Sequence, residues 1–174
     1  VVLSRGLGDV YKRQMNTNPL IEGVQIPKFE TKDETGAIFS SQTILGFLTL
    51  LYFYPRDNTP GCTLQACDLR DAYEELLKIP VLVLGVSGCS CSSHQKFKAK
   101  YSLPFPLLLD EDHKIARLFG VWGEKKFMGK TFDGIHRTSF IIGKTGKILK
   151  TYKKVKPKAH LKEVTEDLLK IQES

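Results

Sequence analysis

Phe47-Leu-Thr-Leu-Leu-Tyr-Phe-Tyr54 runs directly into Pro55-Arg-Asp-Asn-Thr-Pro-Gly61 and then into Cys62-Thr-Leu-Gln-Ala-Cys67. The first block is apolar on both faces of an extended chain, the pattern of a strand in the middle of a sheet covered on both sides. The second packs proline, aspartate, asparagine and glycine into seven residues and reads as a tight loop. The third opens a helix predicted from about Cys62 to Lys78, with Leu69, Tyr73, Leu76 and Leu77 along its apolar stripe.

Val81-Leu-Val-Leu-Gly-Val86 is a second buried strand, Ser90 to Tyr101 a helix, Phe105 to Leu109 a short strand and His113 to Phe119 a further helix. Thr138–Ile142, Gly143-Lys-Thr-Gly146 and Lys147–Tyr152 form a hairpin. Pro157 opens a C-terminal helix ending near Ile171, at a first-turn position where its missing N–H costs little. Upstream, Val24 to Glu30 reads as a short strand and Thr31 to Gly36 as a polar turn. Strands alternating with helices and closed by a late hairpin make an α/β fold, a mixed central sheet flanked by helices.

The chain has 174 residues, 41% hydrophobic and 26% charged, which fits one domain with a proper core. No apolar run approaches the roughly 18 residues that span a membrane. Residues 1–14 carry scattered charges (Arg5, Asp9, Lys12, Arg13) and lack the apolar region of a signal peptide, and Met15 opens a polar stretch. The expectation is a non-native or disordered extension over 1–14, a single domain over 15–174 and a cytoplasmic protein. The net charge of +7 is spread along the chain. Its densest cluster, Lys150, Lys153, Lys154, Lys156 and Lys158, reads as a solvated, lysine-guarded edge rather than a nucleic-acid surface. The four cysteines, Cys62, Cys67, Cys89 and Cys91, point to redox chemistry or a metal.

Cys62 stands where a buried strand has ended and a helix begins. Free backbone N–H groups and the positive end of the helix dipole favour thiolate over thiol there, and thiolate is the nucleophile. Thr59, across the turn, has a hydroxyl that can donate or accept; Pro55 can wall the pocket against water. A guanidinium would complete the site, and Arg137, just before the strand at Thr138, is the candidate. The plainer readings are an inert buried cysteine, a helix-capping threonine and a surface arginine. A cysteine following Pro-Gly at a helix start is poorly placed for burial, which weighs against the first.

Phe53-Tyr-Pro-Arg-Asp-Asn-Thr-Pro-Gly-Cys-Thr-Leu-Gln-Ala-Cys67 resembles the active-site segment of the bacterioferritin-comigratory (Q-type) peroxiredoxins. Their Pro-x-x-x-Thr-x-x-Cys pattern falls on Pro55, Thr59 and Cys62. The similarity continues through Phe105–Asp110, Gly120–Lys126 and Gly134–Ile142. The resemblance implies a thioredoxin-like fold, reduction of hydrogen peroxide and organic hydroperoxides, and recycling by thioredoxin or a similar dithiol reductant. It further implies Cys62 as peroxidatic cysteine, Cys67 as resolving cysteine and Arg137 as the thiolate-stabilising arginine. The expectation also includes no cofactor or metal and a monomer or weak homodimer. Two departures stand out. Gln65 replaces the family's usual glutamate, and Gly85-Val-Ser-Gly-Cys-Ser-Cys-Ser-Ser-His94 replaces Val-Ser-Pro-Asp-Ser, adding Cys89 and Cys91.

Those additions leave the resolving thiol open. In a continuous helix, residues five apart have Cα atoms roughly 8–9 Å from each other, whereas a disulfide needs about 4.4–6.8 Å. Cys67 therefore requires the first helical turn to unwind, and Cys91 or Cys89 requires a different rearrangement. Three other functions compete. A zinc module could draw on the cysteines and His94, but the spacings do not match paired C-x2-C knuckles. A dithiol oxidoreductase would need the C-x-x-C this segment lacks. A redox-responsive holdase would use the same cysteine without turnover.

Overall fold

The structure, a computed structural model, describes residues 17–174. The extension expected at 1–14 lies outside the described residues. Strands β1 (Glu30–Lys32) and β2 (Ile38–Ser40) form a small antiparallel hairpin. The predicted strand from Val24 therefore does not form. Pro27 offers no N–H to a ladder, and the segment contributes only an isolated bridge between Gln25 and Lys147. The turn lies at Asp33–Gly36, where the Asp33 carboxylate accepts from the Thr35 N–H at 2.8 Å.

β3 (Leu48–Phe53) leads through the loop at 54–59 into α1 (Pro60–Asp71), and α2 (Tyr73–Lys78) follows directly. The single helix predicted over 62–78 is thus two helices. At Ala72 the backbone leaves helical geometry (φ −91°, ψ 1°), which turns Leu76 into the core and leaves Leu77 48% exposed. β4 (Val81–Ser87), α3 (Cys91–Tyr101), β5 (Leu107–Leu109) and α4 (Lys114–Leu118) come next. A hairpin the sequence reading lacked follows, β6 (Trp122–Phe127) and β7 (Lys130–Ile135). Its turn residues Met128 and Gly129 both have positive φ, 51° and 76°, as a two-residue hairpin loop of the twisted kind requires. β8 (Thr138–Ile142), β9 (Ile148–Tyr152) and α5 (Pro157–Glu173) complete the chain.

The main sheet has the order β5-β4-β3-β8-β9, with β3, β4 and β5 parallel and β8 and β9 antiparallel to their neighbours. It is the mixed sheet expected. Alternate residues of β3 serve two cores. Leu50, Tyr52 and Tyr54 pack with Ala66 and Leu69 of α1 and with Val164 and Leu168 of α5, while Leu51 and Phe53 pack with Ile115, Phe119 and Phe140 on the other face. This two-sided burial is why the strand is apolar throughout.

The topology also places the site. β3 and β4 are parallel, so the loops entering α1 and α3 leave from the same end of the sheet. β8 runs antiparallel to β3 with Thr138 opposite Phe53, which brings Arg137 to that same end.

Candidate active site

Cys62 is the third residue of α1 and is only 1% exposed. Burial at a helix start runs against the sequence expectation, and two neighbours account for it. The Arg137 guanidinium reaches Cys62, its Nη2 donating to Sγ at 3.4 Å, and Pro157 lies beside Gly61. A Cβ on Gly61 would stand 3.1 Å from Arg137 Nη2 and 3.3 Å from Pro157 Cγ. A larger residue here would press on the Arg137 and Pro157 side chains by a few tenths of an ångström, so glycine suits the close approach. Gly61 is helical and the left-handed residue of the loop is Asn58 (φ 59°), so the special backbone angle falls before Pro60-Gly61.

Thr59 occupies the N-cap position but does not cap. Its Oγ1 donates instead to the Arg56 carbonyl at 2.9 Å. With its hydrogen engaged, that oxygen has only lone pairs to offer a substrate. Pro55, half-buried, follows Tyr54 at the strand end. Sequence reasoning named Pro55, Thr59, Cys62 and Arg137. The fold gathers all four at one end of the sheet, with direct contact between the last two.

All four cysteines are free thiols. Cys67 is half-buried further along α1, so the helix holding Cys62 is continuous to it. Cys89 accepts from the Asp57 N–H at 3.4 Å, and Cys91, at the start of α3, donates to the Glu34 carbonyl at 3.2 Å. The side chains a zinc site would need are thus engaged by different partners. Among the described residues, no group of three or more His, Cys, Asp or Glu side chains is arranged to hold a metal.

Two buried polar networks flank Cys62, one bracing the loop before it and the other the Arg137 side chain. In one, Asp57 accepts from Tyr54 Oη at 2.6 Å, Ser93 Oγ at 2.8 Å and His94 Nδ1 at 2.6 Å, which ties the loop to α3. Burial pushes the Asp57 carboxyl up, but the hydrogen bonds from His94, Tyr54 and Ser93 outweigh it and hold the group below its ordinary value. In the other, Arg137 Nη1 donates to Gln65 Oε1 at 2.8 Å, Gln65 Nε2 lies 3.1 Å from His160 Nδ1, and His160 Nε2 lies 2.8 Å from Ser139 Oγ. The sequence marks Gln65 only as a departure from glutamate, and nothing in the local sequence marks His160.

Burial, reinforced by the nearby Arg137 charge, lowers the His160 pKa from 6.5 to about 4. Between those values the unfolded ring binds a proton and the folded ring does not, so stability falls as pH drops through the window and is flat above it. The expected loss is roughly 3 kcal/mol. Urea unfolding at pH 7 and pH 4.5 measures it, and His160→Asn, which does not titrate there, flattens that part of the profile. An equal acid loss in both proteins would assign it to other groups.

The AhpC/TSA family pattern matches residues 23–151. The chain is 48% identical over 143 residues to Peroxiredoxin Bcp of Escherichia coli strain K12, covering 82% of this chain and 92% of that protein. It is 43% identical over 146 residues to Peroxiredoxin Bcp of Bacillus subtilis strain 168, covering 84% and 93%. A solved structure of the Xanthomonas campestris bacterioferritin comigratory protein, studied for its alkyl peroxide reduction activity, matches with a TM-score of 0.80 and 30% identity over 90% of this chain and 99% of that one. Together with the Cys62–Arg137 contact at the start of α1, these likenesses place the chain in the AhpC/TSA family as a bacterioferritin-comigratory (Q-type) peroxiredoxin, a thiol-dependent peroxidase of thioredoxin-like fold.

Proposed function

We propose that Cys62 is the peroxidatic cysteine and that the protein reduces hydrogen peroxide and organic hydroperoxides. The contact between Arg137 Nη2 and Cys62 Sγ at a helix N-terminus carries this reading. The Cys62 thiolate attacks the terminal peroxide oxygen, the S–O bond forms as the O–O bond breaks, and the departing oxygen takes a proton to leave as water or an alcohol. Arg137 supplies fixed donors for the charge spread over sulfur and both oxygens. Thr59 Oγ1, its own hydrogen on Arg56, accepts from the peroxide O–H and aligns it, and Pro55 keeps water from the pocket.

The resulting sulfenic acid condenses with a second thiol, releasing water and forming a disulfide. We assign that thiol to Cys67, with Cys91 and Cys89 as the alternatives. A thioredoxin-type dithiol then reduces the disulfide, a cycle suited to the reducing cytoplasm. Cys62, Cys67 and Arg137 belong to one chain, so residues 15–174 act as a single catalytic domain and a monomer or weak homodimer suffices.

Because α1 is unbroken from Pro60 to Asp71, a Cys62–Cys67 disulfide demands local unwinding. Oxidation by one equivalent of peroxide is expected to raise amide hydrogen exchange across residues 60–70 while β3 and β4 stay protected. Cys67→Ser should show no such opening, undergo its first oxidation normally, recycle slowly with thioredoxin and inactivate at lower peroxide. Peptide mapping of the oxidised protein is expected to yield the Cys62–Cys67 link. Unchanged protection on oxidation would exclude Cys67 on distance, and a Cys62 link to Cys91 or Cys89 would move the resolving role there. Failure of the wild-type protein to consume peroxide would overturn the reading as a whole.

A further inference from the structure

We propose that His160, on the C-terminal helix α5, is a positioning residue for the peroxide reaction: its ring fixes the Gln65 amide, which holds the Arg137 guanidinium on Cys62. The proposal rests on the peroxidase reading and adds to it a residue far along the chain.

A carboxamide has an oxygen and a nitrogen of nearly equal size, so only its partners decide which way it faces. Arg137 can only donate, and its Nη1 lies 2.8 Å from Gln65 Oε1, so the oxygen faces the guanidinium. The NH2 group then faces His160 Nδ1 at 3.1 Å, and that nitrogen must be the one without hydrogen. The ring hydrogen therefore sits on Nε2 and is donated to Ser139 Oγ at 2.8 Å. Each member has one role, and reversing any of them sets two donors or two acceptors face to face.

His160 is suited to the part. It is 1% exposed, and the rings of Tyr52 and Tyr152 stand 6.2 and 6.4 Å away, closing it from water. Its low pKa keeps it neutral and able to accept at neutral pH. Gln65 itself is fully buried, so neither end of the amide has solvent as a substitute partner. An arginine side chain has many rotamers of similar energy, and an unanchored guanidinium would spend part of its time away from the thiolate. Gln65 and His160 are also matched to each other. A glutamate at 65 would require hydrogen on Nδ1, forcing the other tautomer or an imidazolium, and would set a negative charge against Arg137.

The test uses the reduced full chain and hydrogen peroxide in single-turnover stopped flow. His160→Leu is expected to lower the second-order rate constant about 10- to 100-fold, the cost of misplacing a catalytic group by an ångström or less. The same variant should raise the pH midpoint of Cys62 alkylation, which loss of packing alone would not move. His160→Asn, whose amide oxygen can take the place of Nδ1 as acceptor, should recover most of the rate. In the native chain, 15N NMR of the ring at pH 7 should report the Nε2–H tautomer. An Nδ1–H ring or an imidazolium at pH 7 would overturn the proposal, as would a folded His160→Leu with wild-type rate and alkylation midpoint. Should His160→Leu fail to fold, the tautomer and the His160→Asn rate decide it. Absence of peroxide reaction in the wild type with the tautomer as stated would instead sink the peroxidase reading.

Discussion

Cys62→Ser is expected to abolish peroxide consumption while leaving the fold intact. The variant exchanges sulfur for oxygen and changes little else in volume. The alcohol supplies almost no anion near neutral pH, and oxygen is a far poorer nucleophile toward peroxide than sulfur. The helix N-terminus and Arg137 are still present, so the variant separates the nucleophile from the environment that activates it. Packing should survive, because the new hydroxyl inherits the Arg137 Nη2 donor that Sγ has at 3.4 Å and is not left without a partner. The change in stability should stay within about 1 kcal/mol. Peroxide loss followed with a thioredoxin-regenerating system, beside a thermal melt of the same sample, measures both. Appreciable turnover in the folded variant would assign the first oxidation to Cys67, Cys89 or Cys91 and remove the mechanism's starting point.

The strand, loop and helix around Cys62 were legible because each depends on neighbours in the chain. Continuous apolarity in β3, a proline- and glycine-dense loop and a cysteine at the helix start are local signals. The hairpin of β8 and β9 was legible for the same reason. Arg137 was reachable only through the chemistry the site lacked and through the resemblance. Its contact with Cys62 arises from the register of β8 against β3, Thr138 opposite Phe53, and strand order in a sheet leaves no mark on either strand.

Elsewhere a local pattern is missing or misleading. The hairpin at Trp122–Ile135 exposes charged faces on both strands, with Glu124, Lys126, Lys130 and Asp133 among its residues, and so lacks the apolar alternation that marks a half-buried strand. The break at Ala72 involves a good helix former, and tertiary packing of Leu69 and Leu76 decides it. The burial of Cys62 depends on Arg137, which arrives from another strand. The Gln65–His160 pair is separated by 95 positions, and that of Asp57 with His94 by 37. Buried polar partners at such separations are set by the fold, so the sequence could flag Gln65 as unusual and still not say what it touches.

Arg137→Ala is expected to carry the second-largest cost, lowering the rate constant for peroxide by roughly 100- to 1000-fold, the range seen when a preorganised donor to developing negative charge is lost. Three effects combine. Sγ loses its Nη2 donor and the adjacent positive charge; the space beside Gly61 opens and admits water; and Gln65 Oε1 is left buried without its partner. The first two act on chemistry and the third on stability, at about 1–3 kcal/mol. Arg137→Lys discriminates among them. It keeps a positive charge, but an ammonium is a point charge without the planar fork that reaches Cys62 and Gln65 together. It should therefore recover part of the thiolate stabilisation and little of the alignment, with a rate between those of alanine and wild type. Removing the guanidinium also withdraws a positive neighbour that depresses the pKa values of His160 and Lys125, so both should rise toward their ordinary values in Arg137→Ala. Stopped-flow rates, the pH dependence of Cys62 alkylation, urea unfolding and NMR titration of His160 check the rate, the thiolate stabilisation, the stability cost and the pKa consequence separately. A wild-type rate in folded Arg137→Ala would mean that the helix N-terminus alone activates Cys62, and the 3.4 Å contact would then be structural.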